Sequence, residues 1–522
     1  MPGTDRTPMM NEQPGRSRPN RGMPLTPDQA QSMTKHLLVR TVLFSAIWYS
    51  TAASAADPAL NVETRIQRVE AGLLGPIVVQ GRANPGMLLT ERMRFYQVPG
   101  VSVAVINNGT IEWARGYGVL DARSKVAVTP DSLFQAASIS KPVFSMAALS
   151  LVQQGALSLD EDVNIKLKSW KMPENEFTKE RKLTLRSLLN HTGGTTVSGF
   201  RGYATGAAVP TLLQLLDGVA PANSAAVRVD KAPGGALRYS GGGMTVAQLL
   251  VTDVSAQPFA RFMQATVFDP LGMKHSSFEQ PLPAAMADSA ATAHDGAGAP
   301  IKGKWHTYPE QAAAGLWSTP SDLARFAIEL QKSRAGVSDA VLSADMASQM
   351  LTNSKASPFG LGIEVSAPGK VASFTHSGGN EGFRAMLFAY TETGKGAVVM
   401  TNGSRGLEFI DELMRSIAKE YGWSDFQVAE QTLVKVDAKI MAAYTGQFMI
   451  RGTRAEISFD GSRLFLKAAP LGREAHEVFP ESDTKFFLPA PPTSLAFEKD
   501  ENGVVNLEVT FQGKKVKAVR IE

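Results

Sequence analysis

A serine hydroxyl one helical turn from an amine is a candidate nucleophile with its base, and "SISKPVFSMAALSLVQQG" holds such a pair in Ser138 and Lys141. The spacing alone is cheap. Ser32 with Lys35, Ser416 with Lys419 and Ser482 with Lys485 repeat it, so local context has to choose among the four. Pro142 lacks an N–H and is tolerated in a helix only within the first turn, which predicts a helix start near Ser138 to Lys141. The following "VFSMAALSLV" is apolar on nearly every face and predicts a helix buried in a domain interior, ending at Gly155. Ser138 is thereby expected at a helix N-terminus, where unpaired N–H groups favour negative charge. A serine hydroxyl is a poor nucleophile until a neighbour takes its proton. Lys141, on the same helical face, can take it where burial and the positive helix end favour the neutral amine. The plainer reading is an N-cap serine with a lysine reaching to solvent. The other three pairs have poorer surroundings: the N-terminal leader, the solvated face of an amphipathic helix, and a β-rich tail.

Two further stretches carry chemistry. "LRYSGGGMTVAQ" puts Tyr239 and Ser240 before a glycine-rich turn into a helix, and "FTHSGGNEGFR" runs from His376 through Ser377, Gly378, Gly379 and Asn380 to Arg384 on a presumed strand, where backbone can approach a ligand closely. In this order and with these separations, the three stretches resemble the serine β-lactamase and penicillin-binding-protein superfamily, in particular its class C β-lactamase-like branch of D-stereospecific peptidases and esterases. Its SxxK, tyrosine and K/HxG motifs match Ser138 to Lys141, Tyr239 to Gly241 and His376 to Gly378; "LLNHTGG", "DPLGMKHSSF" and "AAGLWSTPSDLARF" resemble further family phrases. The resemblance covers about residues 85 to 425. It implies that Ser138 is acylated, that Lys141 and Tyr239 transfer protons, that His376 replaces the third-motif lysine, and that the backbone N–H groups of Ser138 and Gly379 form an oxyanion hole. Ser240, Ser377, Gly378, Asn380 and Arg384 are implied to contact substrate, and His191 is the first alternative base. Two departures, Gly241 in place of Asn and His376 in place of a fixed charge, favour an esterase or peptidase over a β-lactamase or a D-alanyl-D-alanine carboxypeptidase. A penicillin-binding sensor that barely turns over is the alternative from another class.

Composition bounds these readings. At 522 residues the chain is long enough for two domains, and 43% hydrophobic with 20% charged residues is ordinary for a globular protein. Residues 1–32 are polar and aperiodic and read as a disordered or non-native leader. Residues 33–55 carry Lys35 and Arg40, an apolar run from Thr41 to Tyr49 and the small-residue site Ala53, Ser54, Ala55, the layout of a signal peptide cleaved after Ala55. Export, to a periplasm in first place, is therefore expected. The run is too short for a permanent membrane anchor. Residues 1–55 hold six of the 53 basic and three of the 49 acidic side chains, and the 47 and 46 that remain give no electrostatic reason to expect nucleic acid. With no cysteine, disulfides, thiol nucleophiles and Cys-rich metal sites are excluded. The seven histidines form no HExxH and no GxSxG occurs. No cofactor or metal is expected, and the partner is a small molecule or short peptide; nothing in the sequence sets an oligomeric state.

The elements that must position these residues are legible in outline. Residues 100–121 are two apolar runs joined at Asn107, Asn108 and Gly109, a hairpin; residues 382–403 read as a second hairpin, with an amphipathic helix after it. Between about 160 and 335, helical patterns open on plausible N-cap residues. Early and late strands with helices between predict one α/β sheet built from both ends of a domain spanning 57–425. From 438 to 522 short alternating strands predict a separate all-β domain, similar to the lipocalin-like C-terminal domains appended to some members of the family.

Overall fold

A computed structural model describes residues 58–472, 474–499, 505–511 and 514–521. The expected leader, signal peptide and cleavage site, and the turns at Asn502 and at Gln512, lie outside the described residues. Strand β1 (Ile77–Val79) is followed by the hairpin of β2 (Gly100–Asn107) and β3 (Thr110–Gly118), where Asn108 and Gly109 both adopt positive φ, as a tight hairpin turn requires. Later come β4 (Phe134–Gln135), β5 (Trp317–Ser318), β6 (Glu364–Val365), β7 (Ser373–Asn380), β8 (Phe383–Tyr390) and β9 (Gly396–Thr401). The main sheet is antiparallel in the order β3-β2-β9-β8-β7-β6, so both chain ends build it as expected.

Helices α1 (Pro58–Glu70) and α2 (Leu89–Tyr96) precede the sheet, and α3 (Ser140–Gln153) carries Lys141. In chain order follow α4 (Leu185–Leu189), α5 (Gly241–Ser255), α6 (Gln311–Ala314), α7 (Pro320–Arg334) and α8 (Gly406–Tyr421). The predicted caps are present: Thr184 closes a capping box, and Thr319 caps α7 with Pro320 at its first position. One face of the sheet packs on α3, α5 and α7, and the other on α1, α2 and the apolar stripe Phe409, Ile410, Leu413, Met414 and Ile417 of α8. Ser416, expected on a solvated face, is buried and donates to the Val69 carbonyl at 2.8 Å.

Residues past the expected boundary at 425 still pack on the α/β domain. Trp423 packs its ring against Phe388 and Tyr390, and β10 (Ala429–Gln431) pairs in parallel with β1. Beyond it, Ala438–Ala443 is a helix, α9, and not a strand. The barrel then closes from eight antiparallel strands: β11 (Gly446–Ile450), β12 (Thr453–Phe459), β13 (Leu464–Ala468), β14 (His476–Pro480), β15 (Lys485–Leu488), β16 (Thr493–Lys499), β17 (Val505–Phe511) and β18 (Lys514–Arg520). No helix among the described residues is long and apolar enough to cross a membrane.

Candidate active site

Ser138 sits in a 3-10 turn, Ala137–Ile139, that runs directly into α3. Ala137 is held at φ 49, a left-handed conformation that costs a residue with a Cβ of order 1 kcal/mol and persists only where the surroundings over-determine it. Those surroundings are visible. Ser140 donates to the Ala137 carbonyl and accepts from the Leu316 N–H, and Gly378 of β7 lies so close that any Cβ there would collide with the Ala136 carbonyl. The turn thereby lifts Ser138, half-buried, beside β7.

Lys141 is 2% exposed; its Nζ donates to Ser138 Oγ at 2.9 Å and to the Ala313 carbonyl on α6 at 2.7 Å, and lies 5.0 Å from the centre of the Tyr239 ring. The reading of a lysine that reaches to solvent is therefore wrong here. Tyr239 lies against His191 with ring centres 4.4 Å apart and planes tilted by 42°, with Phe359 edge-on to that imidazole at 4.9 Å and His376 6.3 Å from the phenol ring. Four of the residues picked from sequence, Ser138, Lys141, Tyr239 and His376, thus converge, and His191 joins them.

Both imidazoles are neutral for the same reason. Burial, then the nearby Lys141 charge, pushes His376 down to about 3 and holds His191 well below the usual histidine range. The Nδ1–H of His376 donates to the Ser377 carbonyl at 2.7 Å, leaving Nε2 a bare acceptor; His191 Nδ1 accepts from the Ser240 N–H at 3.3 Å, which puts its proton on Nε2. Neither Nε2 has a hydrogen-bond partner among the described residues. Mild acidification therefore does not charge His376.

Three residues expected to contact substrate are bonded to the scaffold. Ser240 is buried as the N-cap of α5, accepting from the Gly243 N–H at 2.9 Å and donating to the Thr196 carbonyl. Asn380 is buried, its amide donating to Gln135 Oε1 and the Ala314 carbonyl, so it ties β7 to β4 and α6. Arg384 stands opposite Gly379 in the β7–β8 register and directs Nη1 to the Asn380 and Phe383 carbonyls, both at 2.7 Å, on the sheet face turned away from Ala136 and α3. Gly379 and the Ser377 side chain are exposed on that same face, while Gly378 faces the Ser138 turn. Phe359, Gln135 and the Ala313 carbonyl escaped the sequence reading. A loop aromatic and a backbone oxygen carry no motif.

A family model described as Beta-lactamase matches residues 87–420. The chain belongs to the β-lactamase family. It is 23% identical over 453 residues to penicillin-binding protein 4* of Bacillus subtilis (strain 168), covering 80% of this chain and 94% of that one. Among solved structures, the octameric penicillin-binding protein homologue from Pyrococcus abyssi superposes with a TM-score of 0.53 at 19% identity, covering 82% of this chain and 98% of that one. The D-amino acid amidase from Ochrobactrum anthropi SV3 superposes with a TM-score of 0.54 at 21% identity, covering 69% and 99%. These likenesses are of fold. Membership makes the protein a serine hydrolase of the β-lactamase and penicillin-binding-protein family, built on its α/β sheet with an added eight-stranded barrel.

Proposed function

We propose that the protein is an exported hydrolase of neutral ester bonds or internal amide bonds, acting through an acyl-enzyme on Ser138. The observation that carries this is the amine of Lys141 at 2.9 Å from Ser138 Oγ, buried and pinned by the Ala313 carbonyl. As Oγ attacks the substrate carbonyl, its proton passes to the Lys141 and Tyr239 pair. The negative charge on the tetrahedral oxygen meets the N–H groups of Ser138 and Gly379, which flank the contact of Gly378 with Ala136. Tyr239, its ring against the lysine, hands a proton to the leaving oxygen or nitrogen. Water, deprotonated by the same pair, then releases the acid and restores Ser138.

The preference for neutral substrates follows from charge. His376 stands at the third motif, uncharged through the neutral range, and Arg384 lies on the sheet face turned away from Ala136, so neither sets a cation beside Ser138 for a substrate carboxylate. The amidase neighbour speaks for amides as well as esters. Size and motif order also resemble the bacterial enzyme that cleaves linearised microcystin, which adds linear peptides to the substrates worth trying. The test is a panel of neutral esters, D- and L-peptides and β-lactams, read as kcat/KM from pH 6 to 9 after fluorophosphonate titration of active sites. Ester or peptide turnover that exceeds β-lactam turnover at every pH is expected. Dominant, pH-independent β-lactam hydrolysis would return the protein to the β-lactamases, and acylation without release would make it a penicillin-binding sensor.

A further inference from the structure

The C-terminal barrel is filled at one end and hollow at the other. At the end nearest α9, Tyr444 stacks on Phe497 with ring centres 4.1 Å apart, and Phe486 packs edge-on to both. At the opposite end the inward positions are small: Ala455 on β12 and Ala468 on β13 are direct cross-strand partners, and Thr493 opens β16. Eight strands enclose an interior that side chains either fill or leave open for one small ligand. Here the small residues leave a cavity of about 360 Å³, walled by Ile450, Leu466, Val509 and Val516.

The mouth of this cavity is basic. Arg451, in the β11–β12 turn at φ 48, and Lys514, at the start of β18 opposite Phe511, line it, and neither makes an ion pair or side-chain hydrogen bond among the described residues. No acidic side chain among the described residues lines the cavity. Apolar walls under two unpartnered cations match a ligand with one apolar tail and one anionic head.

We propose that the barrel is a binding site for a single-chain anionic amphiphile, of which a medium-chain fatty carboxylate is the simplest member, with the chain between Ala455, Ala468 and Val509 and the carboxylate at Arg451 and Lys514. The site is separate from Ser138 and goes beyond hydrolysis. Phe511 belongs to its wall and also to a small recess against Tyr96, Asp411 and Arg415, so the occupied end of the barrel abuts the hydrolase fold at α2 and α8.

The experiment titrates the full chain with 11-(dansylamino)undecanoate and follows the blue shift of the dansyl emission. One saturable site per chain is expected, unchanged when Ser138 is first blocked with a fluorophosphonate. Dodecanoate should displace the probe, and dodecanol should do so at least roughly tenfold more weakly because it lacks the charge. The exposed pair Arg451→Glu with Lys514→Glu should weaken binding by about tenfold or more while hydrolysis of a neutral ester stays unchanged. Val509→Trp, which fills the cavity, should abolish binding. Absence of a saturable site, loss of the site on blocking Ser138, or binding indifferent to the Arg451 and Lys514 reversals would each overturn the proposal. The rim reversals lie on the surface and decide the matter by themselves if Val509→Trp fails to fold.

Discussion

The chemistry rests on one short contact, and its parts separate by substitution. Ser138→Ala should abolish turnover and fluorophosphonate labelling and leave the thermal melt unchanged, since the hydroxyl caps nothing in its turn. Turnover in the folded variant would sink the acyl-enzyme. Lys141→Ala and Tyr239→Phe should each lower kcat by about 10²–10⁴-fold, the usual scale of general acid–base catalysis. Two buried groups set opposite pH slopes on stability. His376, pushed down to about 3, stays neutral in the fold while the unfolded chain takes up a proton below pH 6.5, so stability falls as pH drops from 6.5 toward 3. Glu310 lies one helical turn before Ala313; burial pushes its carboxyl up to about 8, and neither oxygen has a hydrogen-bond partner among the described residues. The fold therefore keeps a proton that the unfolded chain releases from about pH 4.5, and stability is lost as pH rises toward 8 at up to about 1.4 kcal/mol per unit. Denaturant melts of Glu310→Gln should gain on the native protein steadily from pH 5 to 8; a constant difference would show that Glu310 does not titrate in that window.

Among the elements, α2 and α8 are joined by a buried ion pair that no motif announces. Arg92 donates to both oxygens of Glu412 at 2.7 Å, and Tyr96 adds a third hydrogen bond at 2.6 Å. Arg92→Leu should cost about 3–5 kcal/mol because it strands a buried carboxylate, and adding Glu412→Leu should recover most of that loss in urea midpoints. A single variant as stable as the native protein would mean that water or another cation reaches Glu412. What the sequence revealed and what it hid follow the same division. The hairpins β2–β3 and β8–β9 and helix α8 were legible because each is a long periodic run with its own turn residues. Strands β1 and β10, three residues each, pair across some 350 positions and leave no period to read. The site was legible in its motifs, Ser138, Lys141, Tyr239 and His376. The fates of Ser240, Asn380 and Arg384 were hidden, because a polar side chain beside a motif bonds either substrate or scaffold according to tertiary contacts.

For the whole molecule, the question is whether the hydrolase stands without its barrel. All three motifs precede Gly422, which suggests a cut there, but the structure argues against that position. A chain ending at 422 loses Trp423 and Phe426, which cover Phe388 and Tyr390 on the sheet, and loses β10, which pairs with β1. Exposing that aromatic cluster creates an apolar patch of the kind that aggregates. A cut after Thr432 keeps all of these. The contacts it severs include Arg82 with Glu477 at 2.7 Å, Arg82 over the Phe479 ring at 5.1 Å, Gly75 against the Pro489 carbonyl, and the recess that Phe511 shares with Tyr96 and Arg415. A partly exposed ion pair contributes at most about 1 kcal/mol, so its loss is small beside the core that remains. The chain ending at 432 should therefore be soluble, melt cooperatively, titrate fully with a fluorophosphonate and keep its kcat on a neutral ester, while the chain ending at 422 aggregates. Equal behaviour of the two would show that Trp423 and β10 are dispensable. Aggregation or inactivity of both would show instead that the barrel shields the α2–α8 face, and that hydrolase and barrel fold as one unit.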